Sequence, residues 1–162
     1  MCRSSDGPYD QSRDDPDAVP AGGPGQPRLL AVVAAVAAGG VVGAEARYGL
    51  ALALPHAPGE WPWSRLVANV TGCLLIGVLM VLVTERLRVH PLVRPLLGVG
   101  VLGGYTTFST YSVDVLTGFG AGHAGPALLY LAVTPALAVT AAALGVAGTR
   151  ALAPRPGVTG RA

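Results

Sequence analysis

The chain alternates long apolar runs with short polar connections, and it does so four times. From Leu29 to about Leu54 the only charges are Glu45 and Arg47, both late in the run. From about Ser64 to Val83 the one strongly polar residue in the interior is Asn69. A third run starts near Pro95 and reaches Gly118, and a fourth covers about Ala127 to Ala147. Each is about the 20 apolar residues needed to cross a bilayer core. The pattern therefore predicts an all-α integral membrane protein with spans over 29–54, 64–83, 95–118 and 127–147. The connections fit: a Pro/Gly loop over 55–60 with Trp61 and Trp63 marking the membrane surface, a basic loop at Glu85–Pro91, and a glycine-rich turn through Gly118, Gly120, Gly122 and Gly125. Thr134-Pro135 predicts a kink in the fourth span. Gly39 and Gly43 stand in GxxxG spacing, which permits close helix approach, although such spacing is common by chance in Ala/Gly-rich spans.

The third run does not read as a plain helix. It contains Gly103-Gly104-Tyr105-Thr106-Thr107-Phe108-Ser109-Thr110-Tyr111. Adjacent glycines followed by β-branched threonines make a poor helix interior. Four hydroxyls at that depth need partners that lipid does not supply. One reading is a kinked helix whose hydroxyls bond back to its own carbonyls. The favoured reading is a span broken in its middle that lines an ion or substrate path.

Composition sharpens the class. The 162 residues are 51% hydrophobic and 12% charged, with mean hydropathy +0.52. Soluble domains carry about 25% charged residues. All 11 basic residues are arginine, the net charge is only +2, and no basic patch forms, so a nucleic-acid partner is not indicated. Cys2 and Cys73 give neither a disulfide framework nor zinc spacing. His56, His90 and His123 fall in connections and are assigned no role. Residues 1–27 hold five prolines, four glycines and five aspartates, a composition that predicts a disordered tail rather than a secretory signal. Residues 28–149 form the four-span domain, and 150–162 a short basic tail.

Four short spans cannot both enclose a polar path and shield it from lipid, whereas two copies can. The groups available to a solute are the Asn69 amide, the hydroxyls of the 103–111 stretch, and the ring edges of Phe108 and Tyr111. Ring edges carry positive potential, and a broken helix exposes N–H groups at one end and carbonyls at the other. The former suit a small anion, the latter a cation. Asn69 has two readings at this point, helix–helix glue or anion donor.

Three stretches carry a resemblance: Gly39-Gly40-Val41-Val42-Gly43-Ala44-Glu45-Ala46-Arg47-Tyr48, Leu66-Val67-Ala68-Asn69-Val70-Thr71-Gly72, and the 103–111 segment with its GGxTTFST pattern. Together they resemble the CrcB/Fluc fluoride channel family over roughly residues 29–148. The resemblance implies a passive fluoride exporter of the plasma membrane, built as an antiparallel dimer with two pores. It implies pore residues Asn69, Phe108, Ser109, Thr110 and Tyr111. It also implies a structural Na⁺ at the dimer centre, on the backbone carbonyls of Gly103 and Thr106. Arg47 and Asp114 are vestibule or interface candidates. Two positions depart from the family pattern. Tyr111 stands where phenylalanine is usual, and its hydroxyl is an extra donor for the anion. Asp114 stands where glutamate is expected. The implied partners are fluoride, a second channel chain and lipid, and no enzyme chemistry is visible.

Two other classes compete: a small proton-coupled multidrug exporter using Glu45, and a non-transporting assembly subunit. Glu45 lies two residues from Arg47, which favours its ionised form. The exporter reading also leaves the 103–111 motif unexplained. Orientation follows from arginines. With four spans, one side holds Arg3, Arg13, Arg28, Arg86, Arg88, Arg94, Arg150, Arg155 and Arg161, nine in all, against Arg47 and Arg65 on the other. That bias places both termini in the cytoplasm and predicts one fixed topology. An antiparallel dimer would then call for an oppositely biased homologous chain, the alternative being a homodimer inserted both ways.

Overall fold

The computed structural model describes residues 29–57, 60–86 and 89–152. The expected tails, Cys2, and the arginines at 3, 13, 28, 88, 155 and 161 lie outside the described residues. Helix α1 spans Leu29–Ala53 and α2 spans Trp63–Val81, continuing as a π-helix over Leu82–Arg86. A second π-helix, Arg94–Leu102, leads into the single turn α3, Gly103–Tyr105. Then come α4, Ser109–Gly120, and α5, Ala124–Leu152. The described residues contain no strand.

Among the described residues, three helices are long and apolar enough to cross a membrane: Leu29–Ala53, Trp63–Glu85 and Ala124–Leu152. The third expected span is present in two pieces, with the break at Thr106–Phe108. Neither piece is long enough to cross alone. The expected glycine turn is narrower than 118–125. Gly118 and Gly120 belong to α4 and Gly125 to α5, leaving Gly122 at φ 80°, a left-handed conformation suited to glycine. The fourth helix extends past both expected ends. It takes in Arg150, whose Nε donates to Glu85 Oε1 at 3.0 Å, so this arginine is part of the bundle rather than of a tail.

Packing pairs α1 with the broken span and α2 with α5. Small residues make the first pairing possible. Gly39 and Gly43 are the buried residues of α1. A methyl at Gly39 would run into the Leu96 carbonyl oxygen, and one at Gly43 into that of Val101. The GxxxG spacing is thus a working contact here. Away from that stripe, and apart from Glu45 and Arg47, α1 is apolar, and Leu29, Leu30, Val41, Val42 and Leu52 are exposed, the mark of a lipid-facing helix. A small aromatic and aliphatic cluster of Leu66, Tyr111, Val115 and Tyr130 ties α2, α4 and α5 together. Trp61 packs edge-on against Tyr130 at 5.5 Å.

Candidate functional site

The break begins where Thr106 leaves helical geometry, at φ −82° and ψ 155°. Its N–H and its hydroxyl both donate to the Leu102 carbonyl at 2.9 Å, closing the first half of the span. The Thr107 peptide then leaves the helix ladder altogether. Its N–H donates to Asn69 Oδ1 at 2.9 Å, and its carbonyl accepts from Asn69 Nδ2 at 3.1 Å. The side-chain amide therefore substitutes for a helical neighbour on both sides of one residue. Asn69 is only 8% exposed, so this pairing meets a requirement that water does not meet. The glue reading of Asn69 is realised within one chain. One amide N–H remains for another acceptor.

The second half of the span starts with its own cap. Thr107 Oγ1 accepts from the Thr110 backbone N–H at 3.3 Å and from the Thr110 hydroxyl at 2.9 Å, and it lies 3.3 Å from Ser109 Oγ. Most of the hydroxyls thus pair with one another or with the chain itself. On the other flank, Arg47 Nε donates to the Gly104 carbonyl at 3.1 Å, and the Tyr105 hydroxyl meets Thr71 Oγ1 at 3.1 Å. The ends exposed by the break are consequently held from α1 and from α2.

Beside the break is an open cleft of about 310 Å³, walled by Asn69, Thr106, Thr107, Phe108, Tyr111, Thr134, Pro135, Ala138 and Val139. The residues lining it carry no charge. Phe108 is 80% exposed and packs on Tyr111 with ring centroids 5.6 Å apart. Of the expected pore residues, Asn69, Phe108 and Tyr111 meet here. Thr110 opens instead into a second cavity of about 350 Å³, with Arg47, Tyr48, Ser64 and Arg65. Ser109 is exposed at the start of α4.

The Tyr111 hydroxyl corrects an expectation. It does not face the cleft as a spare donor, because it donates to the Leu131 carbonyl of α5 at 2.6 Å. Asp114 pairs with Arg65 Nε at 3.1 Å, and Arg65 Nη1 donates to His56 Nε2 at 2.9 Å. His56, given no role from sequence, is therefore part of a polar cluster with Arg65 and Asp114 at the start of α2. The buried Ser64 hydroxyl beside it has no protein partner. From the sequence, Arg65 bore only on orientation.

Among the described residues no group of three or more His, Cys, Asp or Glu side chains could hold a metal. The main chain is another matter. The Thr107 N–H, which would otherwise close on the Gly103 carbonyl, is taken by Asn69, and Gly103 is exposed. The Gly103 carbonyl is thus left without its helical donor, and one carbonyl of a single chain falls short of a cation's shell.

The family model described as CrcB-like protein, Camphor Resistance (CrcB), matches residues 34–146. The chain is 53% identical over 103 residues to the Fluoride-specific ion channel FluC 2 of Streptomyces avermitilis, covering 64% of this chain and 65% of that one. It is 52% identical over 110 residues to FluC 1 of Streptomyces coelicolor, covering 68% and 71%. It is 53% identical over 115 residues to FluC 2 of Thermobifida fusca, covering 69% and 85%. The chain thus spans somewhat under two thirds of the Streptomyces avermitilis relative.

Proposed function

The chain belongs to the CrcB family, and we propose that it is a fluoride-selective channel of the cell membrane that lets F⁻ leave passively. The observation that carries the reading is the uncharged cleft at the break. It presents one spare Asn69 N–H and the rings of Phe108 and Tyr111. The N–H groups of Phe108 and Ser109 at the start of α4 have no intrahelical acceptor. Such donors replace the hydration of a small anion, and the absence of a fixed cation in the cleft keeps binding weak enough for passage. The relatives' names, fluoride-specific ion channel, support the same solute. A monovalent anion leaving a cell that is negative inside gains about 2.3 kcal/mol per 100 mV. That gradient drives export without a coupled energy source, and it would give fluoride resistance.

The cleft is open on one side of a single chain, with Phe108 exposed, so the complete path takes a second copy in antiparallel arrangement. The Ser109 and Thr110 hydroxyls belong to that path. Na⁺ would sit at the centre of the pair on the Gly103 and Thr106 carbonyls of both chains, supplying positive charge between carbonyl ends that otherwise repel. Arg47 and Arg65, at the 350 Å³ cavity, draw anions to the mouth. The arginine bias supports a topology with both termini in the cytoplasm.

The test is anion efflux from liposomes holding the purified protein. Rapid F⁻ release with no Cl⁻ release is expected. Equal rates for the two ions would defeat the proposal, and no release of either would favour an assembly subunit.

A further inference from the structure

Pro135 deletes one hydrogen bond from α5. Proline has no backbone N–H, so it cannot bond the carbonyl four residues before it, which belongs to Leu131. Within a bilayer that carbonyl has no water to turn to. Helix α5 nevertheless runs unbroken from Ala124 to Leu152 with Pro135 inside it. Tyr111 reaches across from α4, and its hydroxyl donates to the Leu131 oxygen at 2.6 Å. The Tyr111 side chain is 5% exposed, and its ring packs against Phe108 on one side and Tyr130, at 5.3 Å, on the other. Tyr111 and Pro135 wall the same cleft.

We propose that Pro135 and Tyr111 act as a coupled pair: the proline frees the Leu131 carbonyl, the tyrosine hydroxyl fills it, and the bond fixes the Tyr111 ring in the cleft wall. Tyr111 is thereby a positioning residue. Phenylalanine at 111 has the same ring edge and nearly the same volume but no tether. Its ring, and the Phe108 ring that leans on it, would no longer be held in one orientation. The need for a hydroxyl at 111 exists only while residue 135 lacks an N–H. With alanine at 135 the backbone closes on Leu131 by itself. The carbonyl then keeps a partner whether or not the tyrosine is present.

The test is a cycle of four full-length proteins: wild type, Tyr111→Phe, Pro135→Ala and the double variant. Unfolding in mixed micelles reads the tether without reference to fluoride. Tyr111→Phe is expected to shift the equilibrium about threefold toward the unfolded state, the usual size of an interhelical hydrogen bond in a membrane protein. In the Pro135→Ala background the same change is expected to have no measurable effect. Equal shifts in both backgrounds would overturn the pair. The second readout, fluoride efflux per folded protein, rests on the channel reading. Tyr111→Phe is expected to slow it in either background, because phenylalanine at 111 has no tether whichever residue stands at 135. Unchanged efflux across the four, with coupled unfolding, would overturn the positioning role. Wild-type liposomes that release no fluoride, with coupled unfolding intact, would overturn the channel reading and leave the pair standing.

Discussion

Replacing Asn69 by alanine removes both partners of the Thr107 backbone at once. The two bonds, at 2.9 and 3.1 Å, hold that residue in place of the helix ladder. A buried polar group left unpaired costs about 1–3 kcal/mol. Thr107 lines the open cleft, so water reaches part of it, and the lower end of the range applies to each group. The expected loss is therefore about 2 kcal/mol, roughly a 30-fold shift in the unfolding equilibrium. Asn69→Asp refines the test. The carboxylate keeps an acceptor for the Thr107 N–H, but it turns a second oxygen toward the Thr107 carbonyl. It should be no more stable than the alanine variant, despite its matching shape. Unfolding in mixed micelles checks the order, and fluoride efflux per folded protein is expected to fall in both. An alanine variant as stable as wild type would refute the clamp. A variant that lost efflux at unchanged stability would assign Asn69 to the path alone.

Three further outcomes are expected. Gly43→Ala places a methyl against the Val101 carbonyl and within 2.8 Å of the Tyr105 nitrogen, so α1 must move off the broken span; a loss of about 1–3 kcal/mol in unfolding is expected, while Gly49→Ala, which meets open space, should be neutral. Phe108→Ile keeps apolar volume and loses the positive ring edge, and should abolish fluoride efflux while the assembly, checked by size-exclusion chromatography, persists. A reporter on the C-terminus should signal from the cytoplasmic side alone when the chain is expressed by itself; comparable signal from both sides would rule out a fixed topology.

The break in the third span was legible because its cause is local. Two glycines and two β-branched residues weaken the helix at the place where it ends, whatever surrounds it. The apolar runs were legible for the same reason, since span length and hydropathy are properties of contiguous residues. The partners of the break were not. Asn69 meets Thr107 across 38 positions, and Arg47 meets Gly104 across 57. Both bonds depend on helix packing that periodicity does not encode, because these spans are apolar on nearly every face. The GxxxG spacing in α1 shows the difference. As a pattern it said little, and only the close carbonyls of the broken span make Gly39 and Gly43 indispensable. The direction of the Tyr111 hydroxyl was likewise beyond a reading of its own segment. Its acceptor exists only because a proline stands four residues after Leu131 on another helix.

A path through a membrane protein needs backbone that is unpaired toward the solute and paired everywhere else. A break in a helix alone does not satisfy that condition, since loose ends refold onto one another or onto nearby hydroxyls. Here the loose ends at Gly104 and Thr107 are claimed from outside. Asn69 of α2 takes both the N–H and the carbonyl of Thr107, and Arg47 of α1 takes the Gly104 carbonyl. Thr107 caps α4 through Thr110, and Thr106 closes the turn before it. These bonds hold the two half-helices apart, so the groups they do not use stay available: one Asn69 N–H, the first N–H groups of α4, and the Gly103 carbonyl. Donors gather on the cleft side and a carbonyl on the exposed face. That division of sign follows from helix ends alone, and it is the feature on which the proposed anion path rests.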